Sequence, residues 1–154
     1  MKLLNYTAPE LCMARIPATT RDECLEALVA QLREAGRVRD PELLLREIIA
    51  REEVETTGIG GGIAIPHARS DTMLSSVVMI ATLEAPVEFN SIDGEPIDLL
   101  FLLAGSRELP GQQLRVLARI SKLVRLPEFL EELRRAELPA DVMGALQTAE
   151  AKHF

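Results

Sequence analysis

"SVVMIATLEAPVEFNSIDGEPIDLLFLLAG", residues 76–105, decides the fold. Two continuous apolar runs, 76–83 and 97–105, are too short for ordinary helices and are bounded by turn residues. They read as strands buried on both faces, because a strand with one wet face would alternate. Between them "EAPVEF" reads as an edge strand, since Pro86 has no N–H to give a central ladder, and "NSIDGEP" reads as a turn. Upstream, "TTRDECLEALVAQLREAG" predicts a helix with Thr20 as N-cap, Glu23 three residues on, Leu25, Leu28 and Leu32 on one face and Gly36 as its stop. A second helix is predicted from Asp40 and Pro41, with Leu44, Leu45, Ile48 and Ile49 as its apolar face and an end near Val54. Downstream, Leu114, Leu117, Ile120 and Val124 predict one helix, and "LPEFLEELRRA" and "PADVMGALQTAEA" predict two more. The expected fold class is α/β: a small mixed β-sheet flanked by helices, in one domain spanning 1–154, a length that supports a single core.

Composition excludes several function classes. Lys and Arg number 17 against 24 Asp and Glu, a net charge of −7, with no basic run longer than two residues, so nucleic-acid binding is not expected. The two cysteines, Cys12 and Cys24, lie at no metal or redox spacing, which points to reduced thiols in an intracellular protein, with a disulfide between them as the alternative. The opening apolar run breaks at Asn5 and Pro9, too early for a signal peptide, and no stretch is long enough to span a membrane. A cytoplasmic protein without membrane insertion is expected.

One segment spends unusual backbone freedom around a single ring. "TTGIGGGIAIPHARS", residues 56–70, places four glycines and Pro66 ahead of His67, one of only two histidines. Gly58, Gly60, Gly61 and Gly62 can turn several amides into one anion-attracting concavity, "GIAIPHA" alternates as a short strand, and Pro66 stiffens the backbone before the ring. A histidine that merely satisfies its own hydrogen bonds is the plain reading. A metal centre would need three or four ligands, which the scattered Cys12, Cys24, His67 and His153 do not supply, the last in a frayed C-terminal tail; no metal and no cofactor are expected. No G-x-S-x-G elbow is present, and the glycine run fits neither a Walker loop nor a dinucleotide fingerprint, whose third glycine would fall at Ile63. A ring presented beside an anion nest suits transient phosphorylation.

The run "REEVETTGIGGGIAIPHAR" resembles the phosphorylation site of the enzyme IIA components of the fructose and mannitol class in the bacterial phosphoenolpyruvate phosphotransferase system, and most closely their nitrogen-regulatory branch. The likeness continues through "APVEFNSIDGEPIDLLFLLAGS" and covers nearly the whole chain. It implies a phosphorelay component, not a free-standing enzyme: His67 accepts phosphate on Nε2 from an HPr-type phosphocarrier, and Arg51 takes the place of the family's active-site arginine. The plain reading of Arg51 is a surface partner of Glu55. The amides of Gly60, Gly61 and Gly62 are the expected phosphate support, with a tight turn as their plain reading, and Arg69 is a candidate contact for an acidic partner. Many sugar-transporting members carry a second histidine where this chain has Gln113, which can hydrogen-bond a phosphate but cannot share its charge. The resemblance therefore favours a regulator that binds protein targets over a sugar-transport subunit passing phosphate to a separate IIB protein. The absence of a IIB-like segment leads us to expect a free-standing IIA unit.

Overall fold

Local chemistry at the chain's first helix behaves as its letters dictate. In the computed structural model, which describes residues 1–107 and 110–154, β1 (Cys12–Ile16) leads into α1 (Arg21–Glu34). The Thr20 hydroxyl accepts the Glu23 amide at 3.1 Å, and Glu23 in turn accepts the Thr19 amide and hydroxyl. At the other end Gly36 takes φ +69°, so the Arg37 amide folds back onto the Leu32 carbonyl. The next helix, α2 (Pro41–Val54), starts with Asp40 accepting the Leu43 amide.

Three short strands follow, β2 (Gly58–Gly60), β3 (Ile63–Ala64) and β4 (His67–Arg69), then the long β5 (Val77–Val87) and β6 (Ile97–Gly105). The sheet order is β1-β5-β6-β3-β2, with β4 also beside β6. β5 and β6 are antiparallel, as are β2 and β3, while β1 on β5 and β3 and β4 on β6 are parallel. The sheet is therefore mixed, as expected.

Both faces are covered. Met79, Ala81, Leu100 and Leu102 pack with Leu25, Leu28, Leu44 and Ile48 of α1 and α2. Val78, Ile80, Leu99, Phe101 and Leu103 pack against α3 (Pro110–Leu123), α4 (Pro127–Arg135) and α5 (Pro139–His153). Two apolar faces on one strand are why residues 76–83 and 97–105 read as unbroken apolar runs. Cys24 belongs to the first layer and Cys12 to the second; both thiols are free, and burial pushes each up to about 11. Among the described residues no helix is long and apolar enough to cross a membrane.

Four local readings change. "EAPVEF" is no separate edge strand: β5 runs through Pro86 to Val87. The proline is tolerated because β1 pairs no further than Leu83, and the ladder to β6 slips between Thr82 and Val87. "GIAIPHA" is not one strand either, since Ile65 turns its amide to the Thr57 carbonyl and Pro66 has none to offer, which splits β3 from β4. On α3 the buried residues are Val116, Ile120 and Leu123, while Leu114 is 71% exposed. At 100° per residue Leu114 stands about 120° round the helix from Ile120, so it cannot share that face. His153 is the last residue of α5, not part of a frayed tail.

Candidate functional site

The last two turns of α2 carry Glu47, Ala50 and Arg51 to a cleft of about 510 Å³ whose floor is His67 and Ala68 of β4. Arg69, Arg107 and Gln113 complete its lining. The register explains the convergence: His67 pairs with Leu103 near the end of β6, so Arg107, two residues past β6, and Gln113 of α3 come to the same cleft as the ring. Three arginines against one glutamate make this lining net positive on a chain whose net charge is −7. Such a cleft attracts an anion.

His67 is aimed by its own backbone. Its Nδ1 lies 2.9 Å from the Ile65 carbonyl oxygen. A carbonyl only accepts, so in the neutral ring Nδ1 carries the proton and Nε2 keeps a free lone pair. The ring is half-buried, open enough for a reacting group to reach. Neutral imidazole with one nitrogen pinned and the other free is a prepared nucleophile.

Arg51 shares the cleft, and its Nη1 donates to the Glu55 backbone carbonyl at 2.9 Å. That bond closes the C-terminus of α2; it is not the carboxylate pairing that the spacing to Glu55 suggested. Gln113 also lines the cleft, and its Nε2 is buried without a hydrogen-bond partner among the described residues. A buried amide donor left open beside the ring suits an acceptor that arrives with the ligand. Arg69 sits exposed at the rim.

The glycines are elsewhere. Gly60, Gly61 and Gly62 take φ of +97°, +67° and +80° in the turn between β2 and β3. β3 begins opposite Leu99 and His67 lies opposite Leu103, so four residues of parallel strand, about 13 Å, separate the turn from the ring. These amides do not support a phosphate on His67. The Gly61 amide instead donates to Asp93 at 3.0 Å, while Arg134 Nη2 donates to the Gly61 carbonyl at 2.7 Å. The anion in this nest is the chain's own carboxylate.

Backbone donation from Glu95, then from Gly61, holds the Asp93 carboxyl below its usual 3.8. A depressed folded value means that this contribution to stability is present above the unfolded pKa and is lost as pH falls through the folded one. We expect the Gly61 amide proton shift to titrate with a midpoint below 3.8, and Asp93→Asn to abolish that step. A midpoint at or above the ordinary value would contradict the Asp93 contact.

One network escaped the sequence reading. Glu47 accepts the Ser70 hydroxyl at 2.6 Å and Arg107 Nη2 at 3.0 Å, and Arg107 Nε reaches Asp71 at 3.5 Å. The only local signal is that Glu47 precedes Arg51 by four residues and so shares its helix face. Arg107 lies 60 residues from Glu47, beyond any local pattern. Among the described residues no group of three or more His, Cys, Asp or Glu side chains is placed to hold a metal ion.

The family profile described as "Phosphoenolpyruvate-dependent sugar phosphotransferase system, EIIA 2" matches residues 6–149. A nitrogen regulatory protein of Bradyrhizobium diazoefficiens is 30% identical over 134 residues, covering 87% of each chain. A fructose-specific EIIA component of Haloferax volcanii is 31% identical over 142 residues, covering 92% of each. The crystal structure of the nitrogen regulatory protein IIA-Ntr from Neisseria meningitidis superposes with a TM-score of 0.84 over 92% of this chain and 97% of that one. At 23% identity that likeness speaks for the fold.

Proposed function

This chain belongs to the EIIA 2 family of the phosphoenolpyruvate-dependent sugar phosphotransferase system, and from that premise we propose that His67 is its phosphoacceptor, loaded by an HPr-type phosphocarrier in the cytoplasm. The observation that carries the reading is the Nδ1 contact to Ile65, which leaves Nε2 free in an arginine-lined cleft. In the transfer the Nε2 lone pair forms a new P–N bond as the donor ring's P–N bond breaks, and that electron pair returns to the donor nitrogen. The proton stays on Nδ1 throughout, donated to the Ile65 carbonyl. Arg51 holds the phosphoryl oxygens while charge passes between the rings, and the open Nε2 amide of Gln113 donates to one of them. The resulting phosphoramidate keeps its transfer potential, so the group can be passed on.

The regulatory role is favoured. A phosphoryl group brings about two negative charges to the lining, which cancels its net positive charge and lets the two forms bind different protein targets. Incubation with phosphoenolpyruvate, enzyme I and the phosphocarrier tests the reading: one phosphate per chain supports it, and none refutes it.

Transfer to a separate IIB protein is the second reading, supported by the fructose-specific relative, which is as similar as the nitrogen regulatory one. Gln113 weighs against it, having no charge to share with the phosphate. Gln113→His adds a charged donor in place of a neutral one, a gain of about 1 kcal/mol, so IIB transfer should rise about fivefold where a IIB partner exists. Acceptance from the phosphocarrier should change little. Efficient wild-type transfer to a sugar IIB would establish the transport role.

A further inference from the structure

Glu52 is 4% exposed although its neighbours Glu53 and Glu55 face solvent. Burying a carboxylate costs several kcal/mol unless its oxygens are filled, and here one residue fills both. The Thr57 amide donates to Oε2 and the Thr57 hydroxyl to Oε1, each at 2.6 Å. Thr57, itself 5% exposed, then accepts the Ile65 amide on its carbonyl at 3.0 Å. The Ile65 carbonyl is the group that receives His67 Nδ1–H at 2.9 Å. An unbroken series of contacts thus runs from the end of α2 to the ring.

We propose that Glu52 is a positioning residue for His67, anchoring Thr57 and through it the Ile65 carbonyl that keeps the ring proton on Nδ1. The need for an anchor follows from the break between β3 and β4. Pro66 has no amide, and β6 reaches this segment next at the Pro66 carbonyl, which accepts the Leu103 amide, so the Ile65 amide is held by Thr57 alone, one step beyond the Gly58–Ala64 pair of β2 and β3. Imidazole in water prefers the tautomer with the proton on Nε2, which would block the nucleophilic nitrogen. A carbonyl held in line with Nδ1 reverses that preference, and a displaced one does not.

This inference rests on the phosphoacceptor reading for its consequence, but its first readout does not. Long-range ¹⁵N–¹H spectra of the full chain, at a pH where the ring is neutral, report which ring nitrogen is protonated. Wild type should show Nε2 as the bare nitrogen. Thr57→Val, which keeps shape and amide but loses the hydroxyl, and Glu52→Gln should both show mixed tautomers and accept phosphate about tenfold more slowly. Thr57→Ser, which restores the hydroxyl, should return both readouts to wild type. If Glu52→Gln fails to fold, Thr57→Val carries the test. A folded Thr57→Val with the wild-type tautomer and the wild-type rate overturns the proposal, because a merely structural clasp would lower thermal stability and leave the ring unchanged. If wild type takes up no phosphate the functional reading falls, and the tautomer spectra still decide the role of Glu52.

Discussion

His67→Ala should take up no phosphate at all from a phosphocarrier that loads wild type with one. The expectation follows from where nucleophilic nitrogen is available. His67 has a free Nε2 above a cleft lined by Arg51, Arg69 and Arg107, whereas His153 is exposed at the end of α5 and is absent from that lining. The substitution removes one side-chain hydrogen bond, worth about 1 kcal/mol, from a half-buried position, so the fold should survive. Intact mass spectra should show a single added phosphate in wild type, lost in acid and kept in alkali as a phosphoramidate requires. A label that persists in His67→Ala would displace the acceptor to another residue.

Arg51→Ala should slow phosphate acceptance by a factor of about ten to a thousand, equivalent to about 1.4 to 4 kcal/mol of transition-state stabilisation. A guanidinium beside a phosphoryl group in flight gains strength as charge spreads over the equatorial oxygens, so the loss belongs to the rate. Stability should fall much less. The bond lost is the one from Nη1 to the Glu55 carbonyl, at the partly exposed end of α2, worth about 1 kcal/mol. Arg51→Lys separates the two contributions, because it keeps a positive charge without the planar fork. An intermediate rate is expected for lysine. Acceptance by Arg51→Ala at the wild-type rate would leave the residue as a helix cap only.

Features whose causes are local in the chain were legible from the residues that create them. Thr20 with Glu23, Asp40 with Pro41, and Gly36 mark helix ends because capping bonds span only a few residues, and the structure makes those bonds. Misread features had two local solutions. Leu114 and Val116 both offer a helical apolar period through neighbouring residues, and packing against the sheet chose Val116. Pro86 reads as an edge marker in isolation, yet it is accommodated inside β5 by a slip in pairing that depends on where β1 stops.

The same division runs through the site. The sequence alone determined that one histidine is stiffened by the proline before it, that Arg51 stands in the last turn of the second helix, and that the glycine turn is an anion nest, since each follows from backbone freedom or helix period over a few residues. Only the tertiary structure decided what meets what. Strand register put the nest at the far end of β6 with Asp93 as its anion, and brought Arg107 to Glu47 and Gln113 to the histidine's cleft. It also turned Glu52 inward, against the ordinary cost of burying a carboxylate, because Thr57 could fill both of its oxygens. Helix ends are written in neighbours, whereas a sheet register depends on residues far apart in the chain. No local pattern states which of them will pair.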